Sequence, residues 1–137
     1  MFRILSKRLS KKYTTKLSKK DRKKQIINIK KSKKLYLKGK YLDRPKLKSY
    51  KNKKSQWIVK FEKKYNHKIT DKKFIHNNLL SNKGQSDIMK KGRGAYYSSG
   101  SRPNQSSNSW AYARLASVIV GGKARKVDNK IWLSEKR

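Results

Sequence analysis

The sequence has no cysteine and only seven acidic residues among 137. The missing cysteine removes disulfides, a thiol nucleophile and a thiolate metal site, and leaves the compartment open. Scarce carboxylates leave 41 Lys and Arg largely unbalanced, at a formal net charge of +34. That much charge of one sign repels itself in a compact chain, so a polyanionic partner is expected. Long apolar runs are absent as well. The best candidate, Leu115 to Val120, is six residues, against the roughly 20 needed to span a bilayer. A soluble chain is expected, of a length that suits one small domain with a tail.

The same shortages argue against catalysis. Seven scattered acids offer no carboxylate pair for general acid–base work. His67 and His76 stand nine apart with no further ligand at metal-binding spacing. The serines of "GAYYSSGS" lack the strand–elbow–helix context of a hydrolase nucleophile. We expect no enzyme, metal, cofactor or small-molecule substrate.

What is abundant is lysine, 32 residues against nine arginines. Lysine holds phosphate as a point charge, and bidentate base readout by arginine is a minor resource here. Binding should therefore be salt-dependent and sequence-neutral. The candidate polyanion contacts in the first half are Lys19, Lys20, Arg22, Lys23, Lys24, Lys30, Lys31, Lys33 and Lys34, then Arg44, Lys46 and Lys48. Further along they are Lys90, Lys91, Arg93 and Arg102.

Charge divides the chain unevenly. Residues 1–54 carry 23 basic and two acidic side chains, and residues 55–137 carry 18 and five. We expect a mainly α protein: a basic arm over 1–54 and a small helical domain over 55–137, with a Gly/Ser-rich loop at 91–109. The first sixteen residues read as a disordered basic arm or, second, as a mitochondrial transit peptide. Within the arm, a helix is expected over about 19–38, with Ser18 as N-cap, Asp21 as its partner, and Gly39 at C′. Its apolar face would be Ile26, Ile29, Lys33 and Tyr36, with Ile27 alongside. So narrow a stripe should fold only when a partner neutralises its lysines. Pro45 then pushes Arg44 into extended geometry, and 42–54 should run extended.

In the second half Trp57, Phe61 and Tyr65, with Ile58 beside them, share a helical face. Thr70 would cap a helix carrying Phe74, Ile75, Asn78 and Leu79. A turn around Gly84 and a short helix with Ile88 and Met89, closed by Gly92, would complete a helix-turn-helix outline. One of Ser107, Asn108 and Ser109 should cap a helix burying Ala111, Leu115, Val118 and Ile119, with Gly121 as its stop. Val127, Ile131 and Trp132 should pack back onto it.

Between these lies "GRGAYYSSGSRPNQSSNSW", Gly92 to Trp110. Its glycines can turn the chain while Tyr96 and Tyr97 plug the core. Alternatively, its backbone amides, with Arg93 and Arg102, can cradle phosphate. It matches neither the nucleoside-triphosphate loop nor the dinucleotide fingerprint.

Together, "DRKKQIINIKKSKKLYLKGKYLDRPKLKSYKNKKS" and "KKGRGAYYSSGSRPNQSSNSWAYARLASVIVGGKARKVD" resemble a family of small basic proteins of giant and algal nucleocytoplasmic large DNA viruses. The likeness covers roughly residues 18–131. Its signature positions here are Gly92, Gly94, Tyr96, Tyr97, Gly100, Pro103, Trp110, Leu115 and Gly121. The resemblance implies a viral protein, carried in the virion and present in the viral factory of the host cell, and it supplies no activity. The expectation is thus a non-enzymatic structural protein of the virion that binds polyanion through its lysine arm and signature loop. Packaged DNA is favoured over RNA. The alternatives are a minor capsid or cement protein on acidic capsomer surfaces or an anionic inner membrane, and an organellar ribosomal protein on ribosomal RNA.

Overall fold

The structure, a computed structural model, describes residues 9–137. The first half of the expected leader at 1–16 therefore lies outside the described residues. A short 3-10 turn at Lys11–Tyr13 is followed by α1 (Lys19–Leu37), α2 (Gln56–Tyr65), α3 (Lys72–Asn78) and α4 (Asn82–Ser98). Then come α5 (Ser107–Ile119), α6 (Lys123–Val127) and α7 (Asn129–Glu135). Among the described residues there is no strand, only an isolated antiparallel bridge between Leu80 and Lys136. The protein is mainly α, as its composition and periodicity predict.

The chain forms two compact units, each built from separate stretches of sequence. One comprises Met1–Asn52 and Gly94–Ser107, the other Lys53–Arg93 and Asn108–Arg137. The first half is thus no free arm, because the second part of the signature stretch folds with it.

In the first unit α1 begins where predicted. The Ser18 hydroxyl accepts the Asp21 N–H at 3.2 Å. It also ends where predicted. Gly39 takes φ +76°, and the N–H groups of Gly39 and Lys40 donate to the carbonyls of Tyr36 and Leu35, the pairing of a Schellman cap. Its buried face differs from the hydropathic expectation. Asp21, Gln25, Ile29 and Ser32 are buried, whereas Ile27 is 56% exposed. The wall opposite supplies main-chain acceptors: Gln25 Nε2 donates to Ser101 O at 3.1 Å and Ser32 Oγ to Tyr97 O at 2.8 Å. Buried carbonyls must be paired, so hydrogen bonding selects this face. After α1 the chain runs without helix through 40–47, but a turn at 48–49, with the Tyr50 N–H on the Leu47 carbonyl at 3.3 Å, interrupts the extended run expected over 42–54. There Asn104 pins it: its Oδ1 accepts the Leu47 N–H at 2.7 Å and its Nδ2 donates to Leu47 O at 3.0 Å.

The second unit has an apolar core of Phe61, Ile69, Ile75, Leu80, Ile88, Leu115, Ala116, Val118 and Ile119. The predicted faces of α2 and α5 are recovered here. The cap of α3 is Asp71 rather than Thr70, since the Asp71 carboxylate accepts the Phe74 N–H at 3.1 Å. Val127 does not pack back and is 72% exposed, while Ile131 and Trp132 are half-buried against the core. Gly121 does stop α5, at φ +80°.

The stretch from 91 departs most from expectation. Gly84 lies inside α4 rather than at a turn, and Gly92 and Gly94 are helical too, since α4 runs to Ser98. The loop is accordingly shorter than 91–109. Gly92 stands at a helix crossing: a Cβ there would be 2.6 Å from the Ala111 Cα. Ala111 is itself fully buried, so the two backbones approach too closely for any side chain at 92.

This separates two glycines that look alike in sequence. Gly92→Ala should lower the unfolding free energy by about 1–3 kcal/mol through overpacking. At Gly94 a Cβ meets only the Tyr36 hydroxyl, at 3.4 Å. Gly94→Ala should therefore leave stability unchanged or raise it by up to about 1 kcal/mol. Urea denaturation of both variants checks the contrast.

Candidate nucleic-acid interface

The side of α1 opposite its buried face carries Lys23, Lys30 and Lys34, seven and four residues apart and so on one face, and all three are exposed. Lys19, Lys20, Arg22, Lys24 and Lys31 widen this face and are also exposed, while Lys33 is half-buried. From Lys19 to Lys34 this basic row runs along α1 for roughly 22 Å at the helical rise per residue. Lys46, on the stretch after α1, and Lys48, in the turn that follows, are exposed as well.

Among the described residues no ion pair answers this row. All seven acids make other contacts, Asp21 from within α1 itself. Asp21 Oδ2 accepts the Ser49 hydroxyl at 2.6 Å and the Ser49 N–H at 3.0 Å. Asp43 accepts the Tyr97 hydroxyl at 3.1 Å. Glu62 pairs with Lys54 and accepts the Ile69 N–H. Asp71 caps α3 and meets His67 at 2.9 Å. Asp87 pairs with Lys83, and Glu135 accepts the Ser81 hydroxyl at 2.5 Å. Asp128, fully buried, receives Arg114 in a two-pronged bond at 2.7 and 2.8 Å, with Lys91 at 3.8 Å. None of the α1 lysines belongs to these pairs.

Arg44 is the exception among the predicted contacts. It is 9% exposed and makes its contacts inward. Its Nη1 donates to Asn28 Oδ1 at 2.7 Å and Leu42 O at 3.2 Å. Its Nη2 donates to Tyr96 O and, at 3.4 Å, to Ser32 Oγ. The guanidinium lies over the Tyr96 ring at 4.5 Å. Its main-chain N–H donates to the Tyr96 hydroxyl at 3.0 Å, which in turn donates to Gln105 O at 2.7 Å. Burial pulls the guanidinium pKa below its ordinary value, opposed by Tyr96, Tyr97 and Asp43, and arginine has margin enough to stay charged. Burial likewise pushes the Tyr96 hydroxyl up, the neighbouring Arg44 opposing. Arg44 is therefore a structural cross-link and is withdrawn from the contact set. A single arginine in a run of lysines was the sequence signal, because only arginine supplies so many fixed donors.

The signature residues mostly build structure. Tyr96, Ser101 and Pro103 are buried, and Gly100 takes φ +123° against the Tyr13 ring. Arg102 is exposed and Arg93 half-buried. Lys90 and Lys91 are exposed on α4, Lys91 within reach of Asp128. Tyr97 and Trp110 are half-buried, and Leu115 lies in the core. Sequence reasoning missed the Arg114–Asp128 pair, whose signal was one of few acids standing near a helix end. It also missed Arg125, which donates to the Val118 and Ile119 carbonyls, both at 2.8 Å, and lies over the Trp132 ring at 4.1 Å. His67 stacks on Phe74 at 3.6 Å, and His76 Nδ1 accepts the Asn82 N–H at 2.9 Å. Among the described residues no cluster of side chains could hold a metal ion, and no helix is long and apolar enough to cross a membrane.

By fold and surface, this is a mainly α, strongly basic protein whose main helix turns a lysine face outward. It belongs to the family described as a family of unknown function, DUF5824, whose pattern matches residues 8–132. Neither a curated protein nor a solved structure matches the chain.

Arg44→Lys should destabilise the protein by about 1–3 kcal/mol for each buried acceptor left unpaired, leaving the polyanion affinity of the folded fraction intact. A phosphate contact would show the reverse pattern in denaturation and binding assays. The hydrogen bonds from Ser49 hold the Asp21 carboxyl below its ordinary value. A depressed folded pKa contributes stability that is complete above the unfolded value of about 3.9 and is lost as pH falls through the folded one. Asp21→Asn should thus be less stable than the parent at neutral pH, and the gap should narrow on acidification below about pH 4. Denaturation midpoints across that window test it.

Proposed function

We propose that the protein is a non-enzymatic, virion-associated structural protein that binds nucleic acid, above all packaged DNA, through its phosphates. The observation that carries this reading is the exposed lysine row on α1, which no carboxylate of the described residues pairs. Lysine-rich contacts of this kind displace condensed counterions and read no sequence, so they suit a ligand that is long, anionic and varied. The viral setting rests on the sequence resemblance.

The reading predicts a linear fall of log affinity with log salt, the same for any duplex sequence. Replacing Lys23, Lys30 and Lys34 together by Gln should lower the slope by roughly 0.9 for each phosphate no longer neutralised and weaken binding without unfolding the chain. Failure of the protein to retain duplex DNA at moderate salt would overturn it. A second reading, a minor capsid or cement protein, is favoured by Ile27, an apolar side chain exposed among the lysines. On that reading the protein stays with emptied shells when virions release their DNA, whereas a genome-bound protein leaves with it.

A further inference from the structure

The C-terminal end of α1 carries more than charge. Tyr41 is 68% exposed, yet its ring is held. It lies 5.0 Å from the Tyr97 ring and 6.1 Å from the Tyr36 ring, tilted by 41° and 51°. Tyr97 meets the fully buried Tyr96 edge-on at 4.9 Å, and its hydroxyl is fixed on Asp43. Four rings thus run from the interior of the first unit to solvent. The turn that returns Tyr41 to this row is built by Gly39 in the left-handed region, with the Gly39 and Lys40 N–H groups on the Tyr36 and Leu35 carbonyls. The same end of α1 and the turn after it carry Lys34, Lys38 and Lys40, all exposed, and Leu37, 87% exposed.

We infer that Tyr41, backed by Tyr36 and Tyr97, is a stacking platform for an unpaired nucleobase, and that the protein prefers single-stranded nucleic acid to duplex. This rests on the nucleic-acid reading above and names the form of the ligand. An aromatic ring held in place by its neighbours has little conformational freedom left to lose on binding. Single-strand sites combine such rings with a cationic track for the backbone, and the stacking tolerates any base. A duplex hides its base faces within its own stack and offers this platform only phosphates. The exposed lysines supply the track, and Tyr41 distinguishes the two ligands.

The test uses fluorescence anisotropy of the full chain with a short labelled oligothymidine strand, a duplex, and an abasic strand of equal length. The intact protein should bind the oligothymidine more tightly than either other probe. Tyr41→Ala should weaken oligothymidine binding by about 5- to 100-fold, with affinity for the abasic strand and the salt slope unchanged. Tyr41→Phe should retain binding, since the ring and not the hydroxyl stacks. Equal affinity for all three probes, unmoved by Tyr41→Ala, overturns the platform and leaves the polyanion reading standing. Binding to none of the probes overturns both. Circular dichroism guards the comparison: a Tyr41→Ala chain that has lost its helix would assign Tyr41 to packing and defeat the proposal.

Discussion

The first unit is organised around one contact, the Arg44 guanidinium against Tyr96. A buried cation is costly unless its donors are answered, and in a chain of net charge +34 a carboxylate is the obvious answer. Here carbonyls, an amide and a hydroxyl answer its two Nη groups, a ring face lies against it, and Nε is left without a hydrogen-bond partner. Those acceptors come from α1, from the extended segment after it, and from the end of α4, three stretches distant in sequence. Fixing one side chain therefore fixes the approach of all three. With this side of α1 occupied, its lysines are directed outward. The exposure of the basic row is a consequence of what the opposite face must satisfy.

The acids enforce the same outcome by their placement. A chain with seven carboxylates could scatter them among the lysines of α1 and lower its own repulsion through pairs three or four residues apart. Only Asp21 stands in that helix, and it faces Ser49. The others cap, clamp or pair within the fold, most firmly in the Arg114–Asp128 bond. Exposed ion pairs contribute little in any case, whereas a capped helix end or a buried two-pronged bond contributes reliably. Most of the carboxylates thus serve caps and clamps within the fold, and among the described residues none of them pairs with the lysine row.

Sequence revealed those features whose causes are local. Ser18, Gly39 and Gly121 mark helix ends because a cap is made within a few residues of itself. The face of α5 was legible because its apolar residues are dense enough to outvote any polar neighbour. The buried face of α1 was not, since Gln25 and Ser32 are drawn inward by carbonyls some seventy positions away, and hydropathy carries no trace of such acceptors. Gly92 misled for a related reason. Glycine is a poor helix former and reads as a stop, yet here the close crossing with Ala111 requires it inside a helix. The candidate interface was legible as composition, and Arg44 could be told from its lysine neighbours only once its acceptors were known.

A surface left with this much unanswered charge also changes how the fold and its ligand relate. Repulsion among the α1 lysines acts against the compact state at every moment when no anion is near. Any polyanion that gathers on the row relieves that repulsion, and one that binds only the folded chain stabilises it by mass action. If the proposed reading holds, binding and folding are coupled, and the coupling runs through α1, whose inner face holds the first unit together. On the proposed reading, the helix that would meet the ligand is also the helix whose inner face organises the first unit. Of the signature residues, Gly94, Tyr97 and Gly100 touch α1 from within, and these contacts hold a helix of like charges in place whether or not an anion is near.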